Sequence, residues 1–243
     1  MTTPNSTQKH FVFLLVLTTT LFLATTRANE SNSVHSHNHE HGLVINFQEG
    51  RHYHRILPAV PTNVETGNVE VLELFWYGCS HCFEFEKYLK KWKQDKPVNV
   101  EFLRMPAVLN RGWVPHARAY YALEAMGELE RIHPLFFNAI HAQGRRLPNI
   151  DSMTRFLSQH GIDAGKFKEA YNSLYVETKI KRANQLIRQY GSNSVPTVII
   201  NGKYRSTASD AGGYEQLLQL VSQLAQQEAN LATEPASAEE KTN

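Results

Sequence analysis

A nearly unbroken apolar run, Val71-Leu72-Glu73-Leu74-Phe75-Trp76-Tyr77, stops at Gly78 and gives way to Cys79-Ser80-His81-Cys82. The run has the length and aromatic content of a buried strand. After Cys79 the apolar residues Phe85, Tyr88, Leu89 and Trp92 recur at helical spacing, with Lys87, Lys90, Lys91 and Lys93 on the other faces. A strand, a glycine turn and a helix that opens on a cysteine therefore follow one another. The first turn of a helix leaves N–H groups unpaired, and together with the helix dipole they favour an anion. A thiolate placed there is stabilised, and the thiolate is the attacking form of sulfur in disulfide exchange. Cys79 and Cys82 are the only cysteines among 243 residues, so this pair holds the chain's whole thiol chemistry.

The compartment follows from the N-terminus. Lys9 and His10 precede an apolar stretch from Phe11 to Ala24, and Thr26-Arg27-Ala28 supplies small residues at cleavage spacing. This is the pattern of a secretory signal peptide over 1–28, cleaved near Ala28; an uncleaved N-terminal anchor is the alternative. Cleavage removes Lys9 and Arg27 and no acid, which brings Lys plus Arg down to the 23 of Asp plus Glu. A balanced mature chain gives no electrostatic case for nucleic-acid binding. It is also long enough to build a core without a disulfide staple, so a lone cysteine pair points to chemistry rather than support.

The remaining pattern divides the chain. Residues 29–42 are polar, with His35, His37, His39 and His41 alternating, and are expected to be a disordered linker. Residues 43–112 carry the strand, the cysteine helix and a second strand over Val98–Leu103. Residues 113–190 are helical. Pro115 suits a first turn, Pro134 is expected to start or break a helix, and Asp151 is expected to cap one. Asp163 opens a stretch, 164–190, long enough to be kinked or divided, and Gly191 closes it. Residues 191–228 return to strand at Val195-Pro196-Thr197-Val198-Ile199-Ile200. Asn201-Gly202 then gives a two-residue hairpin, and a final helix follows. Residues 229–243 are expected to be a disordered tail. The order β-α-β, helical block, β-β-α is an α/β arrangement: a thioredoxin fold with a helical insertion domain. Cys-x-x-Cys at a strand–helix junction is the redox signature that goes with it.

Phe75-Trp76-Tyr77-Gly78-Cys79-Ser80-His81-Cys82, the helical block, and Val195-Pro196-Thr197 leading to Asn201-Gly202 together resemble the DsbA-type thiol:disulfide oxidoreductases of the bacterial periplasm. The resemblance spans roughly residues 45–225 and implies a monomeric periplasmic protein that donates its Cys79–Cys82 disulfide to unfolded exported proteins. It also implies re-oxidation by a membrane, quinone-linked DsbB-type oxidase. Many members carry Pro where this chain has Ser80, and that dipeptide tunes the redox potential. A reductase or isomerase on the same fold, and an exported metal carrier using the His-rich tail, are the competing functions.

The resemblance assigns the site. Cys79 is the attacked and attacking sulfur, and Cys82 is its buried partner. His81 favours the thiolate by hydrogen bond or charge; a solvated His in the first turn is the alternative. Pro196 is expected to be cis and to face the pair, so that Val195 borders the site. Glu73 interrupts the strand on the face of Val71, and a carboxylate buried there would relay the proton of Cys82. A strand-end Glu reaching water is the competing reading. Phe75, Trp76, Trp113, Tyr120 and Tyr121 are candidates for an apolar groove, with core packing as the default for most of them. No cofactor and no metal are implied. Zinc needs about four ligands and no second pair has fitting spacing, while haem attachment wants His directly after the second Cys, where Phe83 stands.

Overall fold

The structure is a computed structural model that describes residues 46–233. The expected signal peptide and its cleavage point near Ala28, His35, His37, His39 and His41, and residues 234–243 lie outside the described residues. Among the described residues no helix is long and apolar enough to cross a membrane.

Strands β1 (His54–Arg55) and β2 (Val69–Phe75) are followed by helix α1 (Ser80–Asp95) and strand β3 (Val100–Pro106). A 3-10 turn, Arg111–Trp113, leads into five helices: α2 (Val114–Ala125), α3 (Leu129–His141), α4 (Ile150–Ser158), α5 (Ala164–Tyr171) and α6 (Leu174–Tyr190). Strands β4 (Thr197–Ile200) and β5 (Tyr204–Ser206) return the chain to the sheet, and helices α7 (Ala208–Ala211) and α8 (Tyr214–Thr233) follow. The sheet order is β1-β5-β4-β2-β3, with β2 and β3 parallel and the other pairs antiparallel. This is the thioredoxin fold with its helical insertion between β3 and β4.

β2 is central and buried along its whole length, which is why it reads as an apolar run rather than an alternating one. Val69 and Val71 share one core with Phe85, Leu89 and Trp92 of α1 and Leu217, Leu220, Val221 and Leu224 of α8. Leu72, Leu74 and Phe75 share the other with Tyr120, Leu123, Phe136, Phe137 and Ile187 of the insertion. The sheet is thus covered on both sides. The hairpin turn has Asn201 at φ 50° and Gly202 at φ 63°, a left-handed pair closed by the Lys203 N–H on the Ile200 carbonyl; with Ile200 paired to Tyr204, the connection has three residues rather than the expected two. Gly202 has a second reason to be glycine: a Cβ there would lie 1.9 Å from the Val60 carbonyl oxygen.

Several local expectations are corrected. Val98 lies outside β3 and is 98% exposed. Pro134 sits inside α3 rather than at its end; one lost backbone bond is outweighed by the burial of Ile132, Phe136 and Phe137. Asn149, not Asp151, caps α4, because Asn149 and Ser152 satisfy each other's backbone N–H groups. The stretch 164–190 is divided, as expected, at Asn172 and Ser173, where Ser173 caps α6. Helix α8 runs past the expected tail boundary to Thr233, with Glu228 and Ala229 buried. Glu228 holds that turn to the hairpin through Asn201 Nδ2 (2.7 Å) and Lys203 Nζ (2.5 Å).

Candidate active site

The β2–α1 junction is a tight turn in which Cys79 N–H donates to the Trp76 carbonyl at 3.0 Å. Cys79 is the N-cap of α1, with extended backbone. Its Sγ accepts from the Cys82 N–H at 3.4 Å. The first turn of α1 holds no acidic residue, so nothing competes with sulfur for the positive helix end. Both cysteines carry free thiols; Cys79 is half-buried and Cys82 is buried.

The two sulfurs are driven apart in acidity. Hydrogen bonding with Cys82, aided by the N–H groups of Cys82 and His81 and by the charge of His81, lowers the Cys79 thiol to about 6 against the opposing effect of burial. Burial pushes Cys82 far up, and the hydrogen bond with Cys79 and the nearby Glu73 carboxylate add to it. One sulfur is therefore an anion at neutral pH and the other keeps its proton.

The Val195-Pro196 bond is cis, and the Val195 carbonyl oxygen lies 3.6 Å from Cys79 Sγ. Ser80 and His81 are exposed. The His81 ring is turned toward α8, with Nδ1 3.4 Å from the Tyr214 hydroxyl, which donates to the His81 carbonyl at 3.1 Å. Glu73 is fully buried, not at a wet strand end. Its Oε2 accepts from Arg104 Nε at 3.1 Å, and its Oε1 has no hydrogen-bond partner among the described residues. Burial raises the Glu73 carboxyl despite the Arg104 charge.

Residues that sequence reasoning missed surround this carboxyl. Arg104 also donates to Glu86 Oε1 at 2.7 Å, and His133 Nε2 lies 3.5 Å from the same oxygen. Burial lowers His133, so the neutral ring turns Nε2–H toward Glu86 and Nδ1 accepts from the Tyr77 hydroxyl at 2.9 Å. Glu86 was legible in principle, since Cys82 and Glu86 are i, i+4 on one helix face. Arg104 required the register that sets it opposite Glu73.

Beside Cys79 a cleft of about 530 Å³ is lined by Trp76, Ser80, Leu109, Trp113 and Val195 among others. Trp76 and Trp113 stack at 4.4 Å between centroids and 5° between planes. Of the five aromatic groove candidates only these two line the cleft. Phe75 is fully buried in the core, and Tyr120 and Tyr121 border a larger cavity of about 840 Å³ along β3 that contains neither cysteine. Among the described residues no cluster of His, Cys, Asp and Glu is arranged to hold a metal ion.

The DSBA-like thioredoxin domain family model matches residues 84–222. A thiol:disulfide interchange protein DsbA of Azotobacter vinelandii is 40% identical over 179 residues, which cover 74% of this chain and 83% of that protein. The protein of the same name from Pseudomonas aeruginosa is 36% identical over 182 residues, covering 75% and 86% respectively. The crystal structure of Pseudomonas aeruginosa DsbA matches with a TM-score of 0.73 at 36% identity, covering 77% of this chain and 97% of that one. That of DsbA from Xylella fastidiosa gives 0.69 at 29% identity, covering 74% and 96%.

Proposed function

The chain belongs to the DSBA-like thioredoxin family and is a thiol:disulfide oxidoreductase that acts on protein substrates, and on that premise we propose how its residues divide the work of donating the Cys79–Cys82 disulfide to exported proteins. A client thiolate attacks Cys79 Sγ, the S–S bond breaks, and Cys82 leaves with the electron pair. Cys82 then takes up a proton, because burial makes its thiolate costly. Glu73, held with a raised pKa, is the group that delivers it. A second client thiolate attacks the client sulfur of the mixed disulfide. The client leaves oxidised, and Cys79 departs as a stabilised thiolate.

The observation that carries this reading is the cap geometry. A leaving group that accepts from the Cys82 N–H at a helix start is a good one, and the reduced enzyme is correspondingly favoured. For a two-electron couple each tenfold change in ionisation corresponds to roughly 30 mV. The descent of Cys79 from an ordinary ~8.5 is thus worth at most roughly 70 mV, and solvent at the half-exposed sulfur removes part of that. Val195, with the cis Pro196 behind it, presents backbone beside Cys79 to the incoming chain. His81 contributes its N–H and its charge at the thiolate, and Ser80 leaves the approach open. The Trp76–Trp113 cleft takes an apolar side chain of the client.

We further assign the protein to the periplasm, after cleavage near Ala28, with a membrane quinone-linked DsbB-type oxidase restoring the disulfide. The domain limits 43–112 and 113–190 follow the same reading, and the second thioredoxin-like part runs from 191 to the end of α8 at Thr233. Equilibration against glutathione tests it. The Cys79–Cys82 couple is expected to be more oxidising than thioredoxins at about −270 mV. A potential at or below that value would remove the oxidase assignment and leave a reductase.

A further inference from the structure

The turn that delivers Cys79 has two residues, Tyr77 and Gly78, between the carbonyl of Trp76 and the N–H of Cys79. A turn of this kind exists in two forms that differ by a flip of the central peptide; one of them needs φ > 0 at the third residue, which glycine accepts freely. Gly78 does not use that freedom: it is absent from the glycines with positive φ. Packing is what demands glycine here, because the Trp76 ring covers the residue and a Cβ would lie 2.3 Å from Trp76 Cζ2. The turn is therefore left with a second orientation open to it, and something else has to select the first.

Helix α3 supplies the selection. The His141 Nε2 lies 2.8 Å from the Tyr77 carbonyl oxygen. A carbonyl only accepts, so Nε2 carries the proton and donates. This bond is made to the central peptide itself, the unit that would have to flip. The same helix face holds the Tyr77 side chain, through His133 Nδ1 on its hydroxyl at 2.9 Å and the Phe137 ring at 5.0 Å between centroids. His141 is itself set by stacking on Phe83 at 5.0 Å and 15°, and the Phe83 N–H donates to the Cys79 carbonyl.

We propose that His141 is a positioning residue of the redox centre: its bond to the Tyr77 carbonyl locks the Tyr77–Gly78 peptide and thereby holds Cys79 Sγ on the Cys82 N–H. The insertion domain thus controls the nucleophile's seat without touching sulfur. This rests on Cys79 being the thiolate of the reaction and adds what keeps it in place.

The test is a thiolate titration by ultraviolet absorbance on the reduced full chain, for the wild type, His141→Phe and His141→Gln. Phe keeps a ring against Phe83 and removes the donor; Gln removes the ring and keeps a donor. His141→Phe is expected to raise the Cys79 midpoint by about 0.5–1 pH unit, the scale of one weakened hydrogen bond. His141→Gln is expected to recover at least half of that rise. An unchanged midpoint in His141→Phe, or an equal rise in both variants, would overturn the proposal, the second outcome assigning the effect to ring packing. If His141→Phe does not fold, His141→Leu takes its place in the same comparison. The wild-type curve separates the two readings: an ordinary midpoint there removes the oxidase reading, whereas an acidic wild type with an insensitive His141 removes only this one.

Discussion

Cys79→Ser is expected to lose dithiol oxidation by about a thousandfold or more, the scale seen when a covalent nucleophile is deleted. The chain has no other cysteine outside the pair, so no second sulfur can stand in. Cys82→Ala is expected to fail differently. It keeps Cys79 and the backbone N–H at position 82, without the Cys82 side-chain bond that most lowers Cys79, and lacks the sulfur that would displace a partner from Cys79. Its Cys79 attacks a disulfide-bearing partner, one partner thiolate leaves, and the remaining mixed disulfide persists. Intact mass analysis under non-reducing conditions reads the adduct, and a reductant releases it. The asymmetry between the variants is the informative result. Residual turnover in Cys79→Ser, or adducts that survive reduction, would contradict the assignment of the attacking sulfur.

Phe75→Ala carries the largest expected cost to stability. Phe75 ends β2 with no exposed surface. Its ring packs edge-on to Tyr77 at 5.1 Å, Tyr120 at 5.4 Å and His133 at 5.3 Å between centroids, and lies 5.8 Å from Phe137. It is the point where the sheet, α2 and α3 meet just ahead of the Cys79 turn. Removing a buried Phe costs about 3–5 kcal/mol from lost burial and the cavity left behind. Against a typical total of about 5–15 kcal/mol, that leaves the fold marginal. Denaturant unfolding at constant m-value measures it. Phe75→Leu fills more of the space and should cost about 1–2 kcal/mol. A loss below about 1 kcal/mol for Phe75→Ala would mean that the core between the sheet and the insertion does not depend on this ring.

The features legible in the sequence were those decided by neighbours along the chain. Gly78 followed by Cys79 marked the strand–helix junction, Asn201-Gly202 marked the hairpin, and Gly191 marked the end of a helix, each through a local backbone demand. The features hidden from it depend on pairing across the fold. Arg104 meets Glu73 only because β3 lies parallel to β2 in one register, and a shift of one residue would turn it to the opposite face. His133 and His141 reach Tyr77 from a helix more than fifty residues away. No local pattern marks them, since a histidine on an amphipathic helix has the same spacing whether it faces water or a partner. The caps went astray for a related reason: Asn149 and Asp151 both suit an N-cap, and the reciprocal bond with Ser152 decides between them. Helix α8 outlasts its apolar pattern because Glu228 is held by the hairpin rather than by solvent. Glu73 was visible as an interruption of β2, but its depth was not.

Titrating the thiolate absorbance of the reduced wild-type protein is the most direct test of how this site works. Cys79 ionises with its midpoint near 6 if the hydrogen bond with Cys82, the N–H groups of Cys82 and His81 and the His81 charge hold the anion. Below that pH the sulfur is protonated, and attack by the reduced enzyme on a disulfide slows in step. A single rise centred near 8.5, the value of a free cysteine, would show that the fold does nothing for this sulfur and would contradict the account.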